Sequence, residues 1–230
     1  MPTHLLTGAG AGIGEAVARV LHDRGDRLVL LARNDDRAAE LAQRFPGART
    51  LVADLADPSG LAAALAGQEL PGSLDSVVHV AGVVELGPVG ELSAETWRLT
   101  LDVNLVAPAE ITRLLLPALR AARGHVVFVN SGAGLTAHPQ WSSYAASKHG
   151  LKALADSLRG EERGHGVRVT SVYPGRVATG MQEKVHAQEG KDYDPEAWIA
   201  PESVATAVVT ALDLPRDAEM TDVTVRPGPR

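Results

Sequence analysis

The chain has 230 residues, 45% of them hydrophobic, 22% charged and 3% aromatic, with a formal net charge of −6. These are globular values that suit one domain, residues 1–230; the negative charge gives no electrostatic reason to seek nucleic acid or anionic lipid, and aromatics are too few for base-stacking platforms. Cysteine is absent and the eight histidines form no H-E-x-x-H, which excludes disulfides, thiolate zinc sites and cysteine nucleophiles and leaves no metal site expected.

The N-terminus, "MPTHLLTGAG", enters an apolar stretch without a basic n-region or a long h-region, so no signal peptide is expected. No apolar run approaches the roughly 18 residues that span a bilayer. A soluble, cytoplasmic protein with no membrane partner is the expectation.

The first apolar run, "HLLT" (4–7), leads straight into "TGAGAGIG" (7–14) and then into a helical pattern over 14–24. Gly8, Gly12 and Gly14 give the spacing G-x-x-x-G-x-G, and no Lys-Ser/Thr follows, so this is not a P-loop. Glycines here let the backbone turn tightly and approach a pyrophosphate, while the next helix offers its N-terminal N–H groups. A dinucleotide is the reading for this turn. The second run, "RLVLLA" (27–32), ends in "LLARN". An acidic residue at the end of this strand would bond a ribose 2′-hydroxyl, whereas arginine suits a 2′-phosphate. Ala32 stands where the acid would be and Arg33 follows, so Arg33, with the adjacent Asn34, is placed at the cofactor and NADP(H) is favoured over NAD(H). Asp35 and Asp36 are read as caps of the next helix, 35–44.

Further runs follow at 49–54, 76–82, 125–131, 167–174 and 222–227. Most are continuous rather than alternating, as in parallel strands buried on both faces. The β-α alternation predicts an α/β fold with a doubly wound parallel sheet. The stretch 94–122 is apolar almost all round, through Trp97, Leu101, Leu105, Ile111, Leu115 and Leu119. Such a helix is buried on more than one side, either under the sheet alone or also against a partner subunit. Pro108 and Pro117 are expected to kink or break it.

The run "HVVFVNS" ends at Ser131, and "SSYAASK" (142–148) puts Tyr144 and Lys148 four residues apart on one helix face. Strand ends that face the crevice are where ligands bind in open α/β sheets. An ammonium one turn from a phenol would lower the phenol's pKa, making Tyr144 an acid/base near neutral pH.

In this order "TGAGAGIG", "ADL" with Asp54, "HVAG" (79–82), Asn104, Ser131, Y-x-x-x-K at 144–148 and "YPGRVAT" (173–179) resemble the short-chain dehydrogenase/reductase family, of the compact single-domain type. The resemblance covers nearly the whole chain. It implies a Rossmann-like fold and hydride transfer between NAD(P) and an alcohol or carbonyl. It implies that Tyr144 is the catalytic acid/base, Lys148 its electrostatic partner and a ligand of the nicotinamide ribose, and Ser131 the hydroxyl that orients the substrate oxygen. Asn104 would hold a helix kink and a water linked to Lys148. The cofactor would be lined by Gly8, Gly10, Ala11, Gly12, Ile13 and Gly14, by Asp54 and Leu55 on the adenine side, by Ala81 and Gly82, and by Pro174, Gly175, Val177 and Thr179 at the nicotinamide. Members commonly pair the helices that correspond to 94–122 and 143–162, so a homo-oligomer, dimer or tetramer, is expected. His79 departs from the family's Asn-Asn-Ala-Gly and is read as a structural substitute, hydrogen-bonded within the sheet.

Three functions compete: an NADP-dependent oxidoreductase, a cofactor-binding regulatory protein without turnover, and a different reaction on the same fold, with an NAD-preferring dehydrogenase as a variant of the first. Ser131, Tyr144 and Lys148 together favour the first. The short region after "YPG" leaves little room for a sugar-nucleotide domain. The substrate reading is a small to medium carbonyl compound or secondary alcohol, apolar around the reacting carbon, near Leu135, Trp141, Met181 and Val185. Arg176 would serve a carboxylated substrate instead, and is set below the apolar reading with its side chain directed to solvent.

Overall fold

Every one of the apolar runs becomes a strand. The inner ones are buried almost throughout by helices on both faces, while the last, "DVTV" at the sheet edge, alternates exposed and half-buried residues. The computed structural model describes residues 1–229. In chain order the elements are β1 (Thr3–Thr7), α1 (Gly12–Asp23), β2 (Arg27–Ala32), α2 (Asp35–Arg44), β3 (Arg49–Val52), α3 (Leu61–Ala66), β4 (Ser76–His79), α4 (Ala94–Leu101), α5 (Ala107–Ala122), β5 (His125–Val129), α6 (Ser142–Glu162), β6 (Arg168–Pro174), α7 (Gly180–Glu189), α8 (Pro201–Asp213) and β7 (Asp222–Val225). The seven strands form one parallel sheet in the order β3-β2-β1-β4-β5-β6-β7.

Residue alternation along the strands feeds two cores. Leu5, Val77, Val126 and Phe128 pack with Ile111, Leu115 and Leu158 on one face. Leu6, Leu30, Val78, Val127 and Val172 pack with Val17, Leu21, Val204 and Val208 on the other. The strand order reverses between β1 and β4, and both strands end at the same edge of the sheet. That switch point opens the crevice in which such sheets bind ligands. No helix among the described residues is long and apolar enough to cross a membrane.

The long apolar stretch differs from expectation in one respect. It is interrupted, but by a π-helical turn, Asp102–Val106, between α4 and α5. Pro108 follows directly in a helix that runs on from this turn, and its missing N–H leaves an upstream carbonyl without the usual helical donor, in keeping with the interruption expected there. Pro117 does not break the helix, which continues through it to Ala122. Pro117 is exposed, and only one amide bond is forfeited on a face that water can reach. Leu99 and Val106 are 47% and 43% exposed, so this stretch carries more apolar surface than its own sheet covers.

Candidate active site

The glycine turn after β1 is shaped by contacts that a side chain would destroy. Gly8 has φ +72°, and a β-carbon there would lie 2.7 Å from the Ala81 amide nitrogen. Gly12 has φ +54°, and its β-carbon would lie 2.8 Å from Thr179 Cγ2. At Gly14 a β-carbon would strike the Gly8 carbonyl oxygen, 2.1 Å away. The N-cap of α1, Ala11, offers no side-chain acceptor, so the first N–H groups of α1 are not capped from within. A cradle of bare backbone leading into an uncapped helix start fits the pyrophosphate of a dinucleotide. Thr7, which the sequence reading passed over, locks this cradle to β4 by accepting from the amides of Val80 (3.1 Å) and Ala81 (3.2 Å).

At the end of β2, Arg33 is exposed and has no hydrogen-bond or ion-pair partner among the described residues. Asn34, rather than Asp35 or Asp36, caps α2, accepting from the Arg37 amide at 2.9 Å. Its short amide reaches back from an extended backbone, while the two aspartates lie inside the first turn. Arg37, one turn into α2, donates to the Gly10 carbonyl at 2.9 Å, as does Arg44. Neither contact was foreseen, because each joins residues distant in sequence.

Beyond the turn, a cavity of about 850 Å³ runs along the ends of β1, β4, β5 and β6. Of the predicted residues, Gly8, Ala11, Gly12, Ile13, Ala81, Gly82, Ser131, Trp141, Tyr144, Lys148, Pro174, Gly175, Val177, Thr179, Met181 and Val185 line it. Gly10, Gly14, Arg33, Asn34, Asp54, Leu55, Asn104 and Leu135 do not. Leu135 is 41% exposed.

Ser131 lies two residues beyond β5, and its hydroxyl accepts from the Ala133 amide at 3.1 Å, so it stands at the start of a single 3-10 turn. Tyr144 lies in the first turn of α6, buried, with Trp141 edge-on to its ring at 5.8 Å. Lys148 is buried one turn later. Its Nζ donates to the Val129 carbonyl at 3.1 Å and lies 5.8 Å from the centre of the Tyr144 ring. Asn130, also unforeseen, joins β5 to α6 by donating to the Lys148 carbonyl at 3.1 Å and accepting from the Ser131 amide at 2.8 Å. Asn104 occupies the π-helical turn. Its side chain accepts from the Val83 amide (2.8 Å) and donates to the Val83 carbonyl (2.9 Å) and the Ser147 hydroxyl (3.0 Å). It therefore pins the helix kink both to the segment after Gly82 and to α6.

The electrostatics differ from the sequence expectation. Burial raises the Tyr144 pKa above its ordinary value, with the facing Ser131 hydroxyl pulling the other way. Burial also brings the Lys148 ammonium down to about 8. The lysine does not by itself bring the phenol to neutrality, because the pocket that holds both groups withholds water from both charges.

Two more expectations are corrected. His79 does not bond within the sheet. Its Nε2 shares a hydrogen bond with the Thr112 hydroxyl of α5 at 2.9 Å and its ring stacks on Phe128 at 5.0 Å. Burial lowers its pKa to about 3, so it is neutral. Arg176 does not point to solvent. It lines the cavity, donates to both Glu189 oxygens at 3.0 and 2.7 Å, and lies over the rings of Trp141 and Trp198 at 5.9 and 5.4 Å. The pairing partner sits at the end of α7, out of reach of any local pattern.

A family model described as short chain dehydrogenase matches residues 2–190. The chain belongs to this family. It is similar to an uncharacterized oxidoreductase of Staphylococcus epidermidis, 33% identical over 226 residues, 97% of this chain and 96% of that protein. It is similar also to dehydrogenase/reductase SDR family member 7B of Bos taurus, 36% identical over 202 residues, 82% of this chain and 62% of that one. Among solved structures, an alcohol dehydrogenase from the archaeon Thermococcus sibiricus, complexed with 5-hydroxy-NADP, superposes with a TM-score of 0.81 at 27% identity, covering 98% of this chain and 96% of that chain.

Proposed function

We propose that this short-chain dehydrogenase interconverts a carbonyl compound and its secondary alcohol with NADP(H), using Tyr144 as acid/base. The observation that carries the reading is the meeting of Ser131, Tyr144 and Lys148 in one cleft whose other end is the glycine cradle. Bound in that cleft, a nicotinamide dinucleotide would supply the hydride in reduction and accept it in oxidation.

In reduction, the Ser131 hydroxyl holds the carbonyl oxygen and Tyr144 donates its phenolic proton to it. The Lys148 ammonium then lies beside the phenolate that remains and favours it by charge. In oxidation the phenolate takes the alcohol proton. Asn104 and Asn130 act through position alone, fixing the kinked helix, α6 and the end of β5 against one another. Around the reacting carbon the wall is apolar, from Val84, Ala133, Trp141 and Val185, which supports a small to medium substrate with hydrocarbon on at least one side.

Preference for NADP(H) is supported by the free Arg33 guanidinium and by Arg37 over the glycine turn, where no carboxylate ends β2. Assembly into a homo-oligomer is supported by the exposed Leu99 and Val106. Loss of NADPH absorbance on mixing with a panel of ketones and aldehydes tests the activity. No turnover of any member, with cofactor shown to bind, would favour a cofactor-binding protein without turnover.

A further inference from the structure

We infer that the substrate carries a carboxylate, bound by Arg226 at the cavity mouth; this rests on the oxidoreductase reading above. The cavity is lined by two guanidiniums, Arg176 and Arg226, and one carboxylate, Glu189. Arg176 and Glu189 satisfy each other through two hydrogen bonds. Arg226 has no hydrogen-bond or ion-pair partner among the described residues.

Its place is fixed by the sheet. Arg226 follows the last residue of β7 directly, Val225 pairs with Pro174, and the Gly175 amide donates to the Val225 carbonyl at 2.8 Å. The guanidinium thus projects from ordered backbone toward the loop that begins at Ser131. A β-carbon on Gly132 would stand 2.8 Å from Arg226 Nη1, so the glycine beside Ser131 makes room for it. β7 lies four strands from β1, roughly 19 Å along the sheet, which removes Arg226 from the pyrophosphate cradle. Within reach are the nicotinamide end of the cofactor beside Pro174 and Gly175, with its neutral carboxamide, and the substrate held at Ser131 and Tyr144, which can carry an anion. A carboxylate matches the planar fork of arginine with two parallel hydrogen bonds. The apolar wall would then face the hydrocarbon of an oxo or hydroxy acid whose acid group points to the mouth.

The test uses oxo acids with the carboxylate one to three carbons from the carbonyl, each beside its methyl ester, at saturating NADPH. The wild-type chain should prefer at least one acid over its ester in kcat/KM. Arg226→Met should lower that acid-to-ester ratio by about 10- to 100-fold, the usual worth of a charge-assisted pair, and Arg226→Lys should keep part of it. Arg176→Met should change the ratio less, because its charge is already met by Glu189. A ratio that survives Arg226→Met, or collapses only in Arg176→Met, overturns the assignment. Should no compound turn over, the oxidoreductase reading fails separately, and calorimetric titration of the NADPH-loaded chain with the same pairs still decides. Equal binding of acids and esters by wild type and Arg226→Met rejects the carboxylate site.

Discussion

Tyr144 sits where burial alone favours the neutral phenol, which suits a proton donor to a carbonyl. Replacing it with Phe removes the donor but leaves the ring against Trp141. Tyr144→Phe should bind NADPH much as wild type does and lose about 10²–10⁴-fold in turnover, measured by single-turnover and steady-state kinetics. Near-normal turnover would remove Tyr144 from the mechanism. Lys148 adds a pH signature. Its pKa is lowered to about 8 by burial, so the ammonium that supports the phenolate is present below that pH and lost above it. Reduction should therefore decline as pH rises through about 8, well before the phenol, whose pKa is raised, begins to titrate. A profile flat up to about pH 10 would mean that Lys148 keeps its proton or is not needed. At the other end of the cleft, Arg33 has no competing partner, so Arg33→Asp should weaken NADPH far more than NADH in parallel titrations. Equal losses would show that the guanidinium does not read a 2′-phosphate.

At the scale of elements, α7 forms one wall of the cleft, and it is fastened along its middle and its C-terminal end. Lys184 donates to the Val84 carbonyl (3.0 Å) and to Glu85 (2.7 Å), Gln188 accepts from the Leu86 amide (3.2 Å), and Glu189 clasps Arg176. Met181 and Val185 then face the cavity, one exposed and one buried, as their i, i+4 spacing requires. Arg176 draws the Glu189 carboxyl below its ordinary pKa, so the clasp holds at neutral pH. Glu189→Gln should speed amide exchange over 180–190 by roughly fivefold, as for loss of about 1 kcal/mol, and raise KM. Unchanged exchange would mean that the other ties suffice. Much of this was legible in the sequence. The strands announce themselves as unbroken apolar runs, and the glycine turn and the Tyr144–Lys148 pair are local patterns with a local cause. What was not legible depends on contacts between distant segments. Arg176 turns inward because Glu189 and two indoles wait for it, His79 finds Thr112 on a helix beneath the sheet, and Arg226 reaches the site only because β7 completes it. Pro117, expected to kink or break the helix, does not break it, because the helix is already held along its buried face.

The whole molecule carries two further consequences of its burial pattern. Leu99 and Val106 expose apolar surface on one continuous stretch, and a second copy of the chain would cover it. Light scattering at micromolar concentration should give the mass of two or more chains, and Leu99→Asp with Val106→Asp should reduce it to one; a monomeric wild type would return the stretch to a plain core helix. The second consequence concerns acid stability. His79 and His125 are buried and neutral, each with its pKa lowered to about 3 by burial, and His4 is lowered for the same reason. In the unfolded chain all three would titrate near 6.5. The unfolded state therefore binds more protons than the folded state as pH falls below about 6.5, and stability drops with it, by about 1.4 kcal/mol per pH unit for each fully buried histidine. The carboxylates do not confuse this window. Glu162 and Glu189 are held below their ordinary pKa by Arg120 and Arg176, so their contribution is intact above about pH 4.5 and lost only below it. Urea midpoints should fall only slightly from pH 8 to 7, where Lys148 in the fold completes its protonation, and then fall steadily from 6.5 to 5. His79→Asn removes one of the titrating groups, and its midpoint should fall less steeply across the same interval, whatever its stability at pH 7. An equal slope in the variant would mean that His79 is protonated in the fold or that its ring opens to water before the rest unfolds.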